Sequence, residues 1–304
     1  DYVLVTYLAA NAGALSYAVG EWARVWPLSA VIRAMGAYFI RRRSRGALYR
    51  KVLARYVQMA TRGGVSQAVF PEGGLSLNGL LAPPRMGLLN YITEDFDPEV
   101  REVIFVPVAL NYDRVLEDQI LIKADQSGNR RFKPKMLSVM GRVARHVLLR
   151  ITGRFRGFGT ASVSFGEPLE LSKYHKEDDS DLTEAIATEL MQRIANVTPV
   201  LGVPLVCRHL LAAEPITTAD LTMGVERSIT MLAERHLPCP RRKPDEVVRD
   251  ALSRLKARDL ISESSDGIVI TELGRPVLTF YANSIAHHFD AVAASSGEIS
   301  AVAE

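Results

Sequence analysis

The stretch Phe70-Pro71-Glu72-Gly73-Gly74 comes directly after a short apolar run and decides the fold. A second block, Gly36 to Arg43, lies upstream of it, and a third, Phe105 to Tyr112, lies downstream. Each block places a polar or cationic side chain, a glycine or a proline beside apolar residues. Proteins with an α/β layer fold present their site residues in this way, at the ends of buried strands. The ordered blocks therefore predict an α/β protein whose site lies at strand ends.

Strands are predicted where apolar residues run together around these blocks. The short runs Tyr38–Ile40 and Gln67–Phe70 each precede one of the polar blocks. The continuous run Val103–Leu110 indicates a strand buried on both faces, with a bulge or sheet edge at Pro107. A further alternating strand is predicted over Gly157–Phe165.

Helices are predicted between these strands. Residues 1–20 are rich in Ala, Gly, Ser, Thr and Asn, which favours a buried core helix over a membrane span, with a helix at the membrane surface as the alternative. A second helix is predicted over 21–34. The helix Tyr49–Arg62 carries Leu53, Tyr56, Val57 and Ala60 on one side and stops at Gly63-Gly64.

From about residue 201 onward the pattern is mainly helical, with a linker at Pro238–Pro244, a helix at Asp245–Leu260 and a lone strand at Gly267–Thr271. The predicted fold class is therefore α/β, with a mixed central sheet flanked by helices and a smaller, mainly helical C-terminal region. The predicted division places the α/β domain at residues 1–200 and the C-terminal region at residues 201–304.

Composition is that of a globular protein, with 48% hydrophobic and 23% charged residues and a net charge of +3. Basic residues cluster in Arg41–Arg45 and in Arg142–Arg156, which indicates either solvated helix faces or sites for phosphate and lipid headgroups. Cys207 and Cys239 form neither a disulfide framework nor a zinc motif, so a reducing compartment and no metal are expected.

Four ordered motifs resemble the bacterial glycerol-3-phosphate 1-O-acyltransferase family, within the HxxxxD acyltransferase superfamily. Asp1 followed by an apolar stretch resembles the second half of the family's His-x4-Asp motif. Gly36, Phe39, Ile40 and Arg42 match a Gly-x-x-Phe-Ile-x-Arg motif, and Phe70–Gly73 matches Phe-Pro-Glu-Gly. The apolar strand around Val106-Pro107 matches the fourth motif, and Tyr281–Ile285 with Phe289 resembles the family's tail.

The resemblance implies acyl transfer from acyl-CoA or acyl carrier protein to the sn-1 hydroxyl of glycerol 3-phosphate. A histidine removes the hydroxyl proton, and Asp1 orients that histidine and stabilises its cation. The implied substrate-binding residues are Arg41, Arg42, Phe70, Pro71, Glu72, Gly73 and Arg85. No metal or organic cofactor is implied, because the thioester already carries the activation. The expected location is the cytoplasmic face of the membrane, held peripherally on an anionic surface.

The chain departs from the family pattern at two places. The motif histidine would stand five positions before Asp1, and none of the six histidines has an aspartate five residues later; His209 is followed by Glu214 at that spacing. We therefore expect an N-terminally truncated polypeptide that is catalytically impaired. Leu75 and Leu77 occupy the places of two arginines that the family commonly has, which leaves Arg42, Arg85 and Arg41 as the nearest candidates to hold phosphate.

Three alternatives stay open at this point. In the first, the acceptor is lysophosphatidate instead of glycerol 3-phosphate. In the second, the chain is a non-catalytic homologue that binds lipid or acyl carrier protein. The third alternative concerns residues 240–280, whose helices, strand and basic residues are vaguely similar to a nucleic-acid-binding winged helix. Acidic residues such as Glu246 and Asp250 dilute that charge, so no nucleic-acid partner is expected.

Overall fold

The structure is a computed structural model that describes residues 4–5, 7, 15–20, 28–40, 46–128, 152, 159–174 and 182–290. The named strands are β1 (Ser16–Gly20), β2 (Ala37–Ile40), β3 (Gln67–Ala68), β4 (Ile104–Phe105), β5 (Val108–Tyr112), β6 (Ala161–Phe165), β7 (Leu169–Glu170), β8 (Ile261–Ser264) and β9 (Gly267–Ile270). The named helices are α1 (Leu28–Ala34), α2 (Ala47–Arg62), α3 (Gly87–Thr93), α4 (Asp118–Gln126), α5 (Leu182–Val197), α6 (Gly202–Ala212), α7 (Thr218–Glu234), α8 (Pro244–Lys256) and α9 (Gly274–Asn283). The predicted α/β class is confirmed.

By their contacts, the described residues form two compact units. The first unit takes them from the ranges 1–75, 82–109 and 165–196, and the second from 76–81, 110–164 and 197–304. The predicted boundary between residues 200 and 201 stays a prediction about domains.

The first unit contains a three-stranded parallel sheet in the order β2-β1-β3. Its central strand, β1, buries Tyr17 and Val19, which are 2% and 1% exposed. The prediction of a helix over residues 1–20 is wrong for 16–20. The small residues of this segment favour a helix when they are considered alone. In the fold, however, the segment pairs with a strand on each side, and the hydrogen bonds and burial that it gains outweigh the helix preference.

Gly36 ends the turn between α1 and β2 with φ of 92°, a conformation that glycine adopts without strain. A Cβ at this position would lie 2.3 Å from the carbonyl oxygen of Leu15, just before β1. Both the positive φ and the close approach of Leu15 therefore require glycine at this position.

The apolar run from Val103 to Leu110 is not one buried strand. It divides at Val106-Pro107 into β4 and β5, and Ile104 and Val106 are 57% and 51% exposed. β4 pairs antiparallel with β7, while the carbonyl of Pro107 accepts a hydrogen bond from the amide of Gly166 at 2.8 Å. Proline lacks an amide donor, so the ladder is interrupted where the sequence places it.

The second unit is built mainly from helices α6 to α9 around one apolar cluster. Its most deeply buried members include leucines that are at most 1% exposed: Leu205, Leu210, Leu221, Leu232, Leu255 and Leu278. Each such side chain contributes about 1.5–3 kcal/mol by leaving water. Helix α8 begins at Pro244 with Asp245 and Glu246 in its first turn and ends with Arg254 and Lys256, which complements the helix dipole.

The strand Gly267–Thr271 is not alone, contrary to the prediction. β8 and β9 form an antiparallel hairpin, and Ile216 forms an isolated bridge to Ile268. The predicted helix Asp245–Leu260 ends earlier, at Lys256, and β8 begins five residues later, where the sequence pattern predicted no strand. Three of its four residues are exposed, so they carry little hydrophobic signal.

Among the described helices, none is by itself long and apolar enough to cross a membrane; α5 and α6 meet the length and composition test only when they are taken together as a bent pair.

Candidate active site

The carboxyl ends of β2 and β3 lie at the same edge of the parallel sheet. Both strands run parallel to β1 and flank it on opposite sides, with Gly20 opposite Ile40 and Tyr17 opposite Ala68. The chain therefore passes from β1 to β2 on one side of β1 and then to β3 on the other side. In open α/β sheets, the crevice at such a switch point is where ligands bind.

The Phe70–Gly73 block forms a tight turn just beyond β3. The amide of Gly73 donates to the carbonyl of Phe70 at 3.0 Å, and the amide of Arg85 donates to the carbonyl of Pro71 at 2.8 Å. The second bond joins the turn to the far end of the loop that follows it. All four residues of the block are half-buried, so they line a surface of the first unit without being sealed inside it.

Glu72 is held in place by its own loop. Its Oε2 accepts a hydrogen bond from the amide of Ala82 at 2.9 Å. Burial raises the pKa of the Glu72 carboxyl, and the hydrogen bond from Ala82 opposes that rise. One carboxylate oxygen is thus used by the fold, while the second can accept a hydrogen bond from a ligand hydroxyl.

Gly73 leaves room for the Arg85 side chain to pack against the turn. Its φ is 65°, and a Cβ would lie 2.6 Å from Cδ of Arg85. The Arg85 side chain therefore crosses directly over the turn that carries Glu72. Arg85 is exposed and forms no ion pair with any described residue. The structure thus gathers Phe70, Pro71, Glu72, Gly73 and Arg85 in one loop, and their part in binding stays a prediction.

The remaining predicted site residues fall outside the described part of the chain. Asp1, Arg41 and Arg42 belong to this group, as does the basic run Arg142–Arg156. In the sequence, Arg41 and Arg42 come directly after Ile40, the last residue of β2.

The two leucines at the expected arginine positions have different surroundings. Leu75 is 63% exposed in the first unit. Leu77 packs against the apolar cluster of the second unit, so its side chain is part of that core. Ser76, between these leucines, donates to the carbonyl of Leu80 at 2.9 Å.

A buried polar cluster in the second unit was not predicted from the sequence. Oδ2 of Asp118 accepts hydrogen bonds from the Arg258 guanidinium and from the Tyr281 hydroxyl, both at 2.7 Å. The Tyr281 hydroxyl in turn accepts from the amide of Val115 at 2.9 Å. Burial raises the pKa of the Tyr281 hydroxyl. Only Tyr281 lay within a recognised motif, and nothing in the sequence links it to residues 118 and 258.

Basic side chains on α8 are partly neutralised by acidic residues of the same helix. Arg242, just before α8, forms ion pairs with Glu246 and Asp250 at 3.6 and 3.3 Å, and Arg254 pairs with Asp250 at 3.2 Å. This surface therefore gives no added support to a nucleic-acid partner. Within the described residues, no group of three or more His, Cys, Asp or Glu side chains is arranged to hold a metal ion.

Comparison with known proteins gives two family matches that follow one another along the chain. A model described as Acyltransferase matches residues 1–111, and one described as Glycerol-3-phosphate acyltransferase C-terminal region matches residues 146–296. The predicted resemblance to the glycerol-3-phosphate acyltransferase family is confirmed.

Individual relatives in this family show the same similarity. A glycerol-3-phosphate acyltransferase of Aeromonas hydrophila is 30% identical over 95% of the chain, and one of Pseudoalteromonas atlantica is 26% identical over 95%. A third, of Shewanella woodyi, is 34% identical over 66% of the chain. The chain spans 38% of the length of each of the first two relatives and 24% of the third.

Proposed function

We propose that the chain belongs to an acyltransferase that moves an acyl group from acyl-CoA or acyl carrier protein to the sn-1 hydroxyl of glycerol 3-phosphate. The observation that carries the proposal is the Glu72 turn with Arg85 across it, at the carboxyl edge of the parallel sheet. The family matches supply the reaction type, since the relatives are named glycerol-3-phosphate acyltransferases.

The proposed roles follow from the chemistry of each group. Asp1 pairs with a histidine that removes the proton from the acceptor hydroxyl, and that oxygen then attacks the thioester carbonyl. Glu72 accepts hydrogen bonds from the polyol hydroxyls. Arg42, with Arg41 and Arg85, binds the phosphate, because guanidinium groups donate paired hydrogen bonds to phosphate oxygens. The acceptor is thus held at both ends while its reacting oxygen faces the base.

The proposed location is peripheral, at the cytoplasmic face of a membrane. The product of the reaction carries a long acyl chain, and exposing each of its methylenes to water costs about 0.8 kcal/mol. Release into the membrane surface avoids that cost. No metal or organic cofactor is proposed.

Replacing Glu72 by Gln tests its binding role. Gln keeps an oxygen that can accept from the Ala82 amide, so the loop should keep its shape and stability. Removal of the charge should lower kcat/KM for the acceptor by about tenfold or more, because a hydrogen bond to a charged group is worth about 1.5–3 kcal/mol. Steady-state kinetics of a catalytically active form, with thermal unfolding as the control for folding, measure this. Unchanged kinetics in a folded Glu72→Gln variant would assign Glu72 to the loop alone.

Arg42→Ala addresses the phosphate end of the acceptor. We expect the KM for glycerol 3-phosphate to rise about tenfold or more with a much smaller change in KM for the acyl donor. Acceptor titration at saturating donor gives the first value, and donor titration gives the second. Arg50→Ala, an exposed arginine on α2, is the matched control. If the acceptor KM is the same in Arg42→Ala and in the wild type, Arg42 does not bind the phosphate.

The exposed Leu75 favours a second acceptor, lysophosphatidate. It lies two residues beyond Gly73, and its apolar side chain suits a substrate that already carries one acyl chain. Acceptor profiling separates the two cases: glycerol 3-phosphate should be used at least tenfold better than lysophosphatidate under the main proposal. A preference for lysophosphatidate would reverse the assignment, and turnover of neither acceptor would favour a binding homologue.

A further inference from the structure

Helix α2 leaves a row of large apolar side chains in water. Leu48, Val52, Tyr56 and Met59 are 77%, 59%, 48% and 61% exposed. Their spacing of four, four and three residues places them on one stripe, an arc of about 80° at 3.6 residues per turn. The helix has a separate inward face, since Val57 is only 1% exposed and Leu53 is half-buried. The exposed stripe is therefore additional to the face that anchors the helix.

Basic residues form a second row beside this stripe. Lys51 and Arg55 are one turn apart, and both are exposed. Neither forms an ion pair with a described residue, whereas Arg62 at the end of the helix is paired with Asp95 at 2.7 Å. The whole segment from 22 to 71 contains ten Lys and Arg residues and no Asp or Glu. The helix itself carries no acidic residue, so a positive row beside an apolar row complements an anionic surface that has an apolar layer beneath.

We propose that α2 is a membrane-surface helix that docks the first unit on anionic lipid. The apolar stripe enters the headgroup boundary, and Lys51 and Arg55 extend along it to lipid phosphates. A soluble partner protein would need an acidic surface of matching curvature, whereas any anionic bilayer offers both layers at once. The proposal adds a docking surface to the peripheral location proposed above, and it rests on the exposed residues of α2 and on the basic residues of the segment around it.

The test is vesicle flotation of the 304-residue chain with two kinds of vesicle. One contains phosphatidylcholine only, and the other contains phosphatidylcholine with about one third phosphatidylglycerol. The chain should partition onto the anionic vesicles at least tenfold better, and the partition should fall as salt is raised, because salt screens the attraction between basic residues and anionic headgroups. Equal binding to both vesicles, or binding to neither, would overturn the proposal.

Two double variants locate the docking face. Val52→Glu with Met59→Glu removes the apolar stripe, and Lys51→Glu with Arg55→Glu reverses the basic row. Each should lower the partition onto anionic vesicles at least tenfold. The matched control for the apolar-stripe variant is Met223→Glu with Leu273→Glu, which carries the same charge change as Val52→Glu with Met59→Glu, at residues 48% and 55% exposed in the second unit. The control should partition as the wild type does.

Folding of the variants and the oligomeric state of the wild type are checked alongside vesicle binding. All four substituted positions are exposed, so circular dichroism should show an unchanged fold. Folded double variants that still bind as the wild type does would place the docking face elsewhere. If the wild type binds no vesicles but forms a dimer that Val52→Glu with Met59→Glu dissolves, the stripe serves a second copy of the chain and the lipid proposal is wrong. Acyl transfer is not measured, so these results stand apart from those for the proposed activity.

Discussion

An N-terminal extension that places a histidine five positions before Asp1 is expected to raise the rate of acyl transfer by about 10²–10⁴ over the 304-residue chain. A hydroxyl is a weak nucleophile until a base removes its proton, and none of the six histidines in the chain has an aspartate at the family spacing. The measurement is release of free thiol from acyl-CoA in the presence of glycerol 3-phosphate, at saturating concentrations of both.

The matched control is the same extension with alanine in place of the histidine. It keeps the length and the added residues, so any gain from improved folding appears in both forms. Asp1→Asn in the histidine form should lose most of the gain, because the amide neither fixes the reactive tautomer nor stabilises the imidazolium. Turnover by the 304-residue chain at the rate of the histidine form would contradict the proposed pair.

Local sequence signals predicted the site loop better than they predicted the sheet around it. Pro71 fixes its own φ, and the two glycines that follow Glu72 allow the positive φ angles that tight turns use, so a turn at Phe70–Gly73 was visible from the residues alone. The strand β1 was not visible. Its residues 16–20 become a central strand because β2 and β3 pair with it from both sides, and those partners lie up to about 50 residues away in the chain.

The exposed stripe on α2 shows a different limit. Leu48, Val52, Tyr56 and Met59 follow a helical period, but so do Leu53, Val57 and Ala60 on the buried side. The sequence placed Tyr56 together with the second set, whereas its ring is 48% exposed and contacts Tyr38 with ring centroids 5.0 Å apart. Periodicity shows that a helix has apolar faces and does not show which of two faces finds a neighbour.

The Asp118 cluster could not be predicted, because its parts come together only in the folded second unit. Residues 118 and 258 are 140 positions apart, and neither stands in a motif. An aspartate near a helix start is commonly a cap or a favourable charge for the helix dipole, so its position alone does not indicate a buried ion pair. Here the carboxylate is 4% exposed and the guanidinium 15%, so the pair is removed from water.

Asp118→Ala is expected to lower the free energy of unfolding of the second unit by about 3–5 kcal/mol. Removal of one partner leaves the Arg258 charge in a site with little water and without its carboxylate, which costs more than the intact pair gains. The Tyr281 hydroxyl loses an acceptor at the same time, although it still accepts from Val115. Urea unfolding, followed by a signal from the second unit, gives the change.

Glu263→Ala is the control that separates burial from charge pairing. Glu263 forms an ion pair with Lys256, and the two side chains are 69% and 40% exposed, so its loss should cost no more than about 1 kcal/mol. Asp118→Asn, which keeps the volume and can still accept from Arg258 and Tyr281, should fall between the two. Equal effects of Asp118→Ala and Glu263→Ala would mean that water reaches the Asp118 pair. In that case burial would not explain the stability effect of this cluster, and the cluster would not anchor the Tyr281 segment to α4.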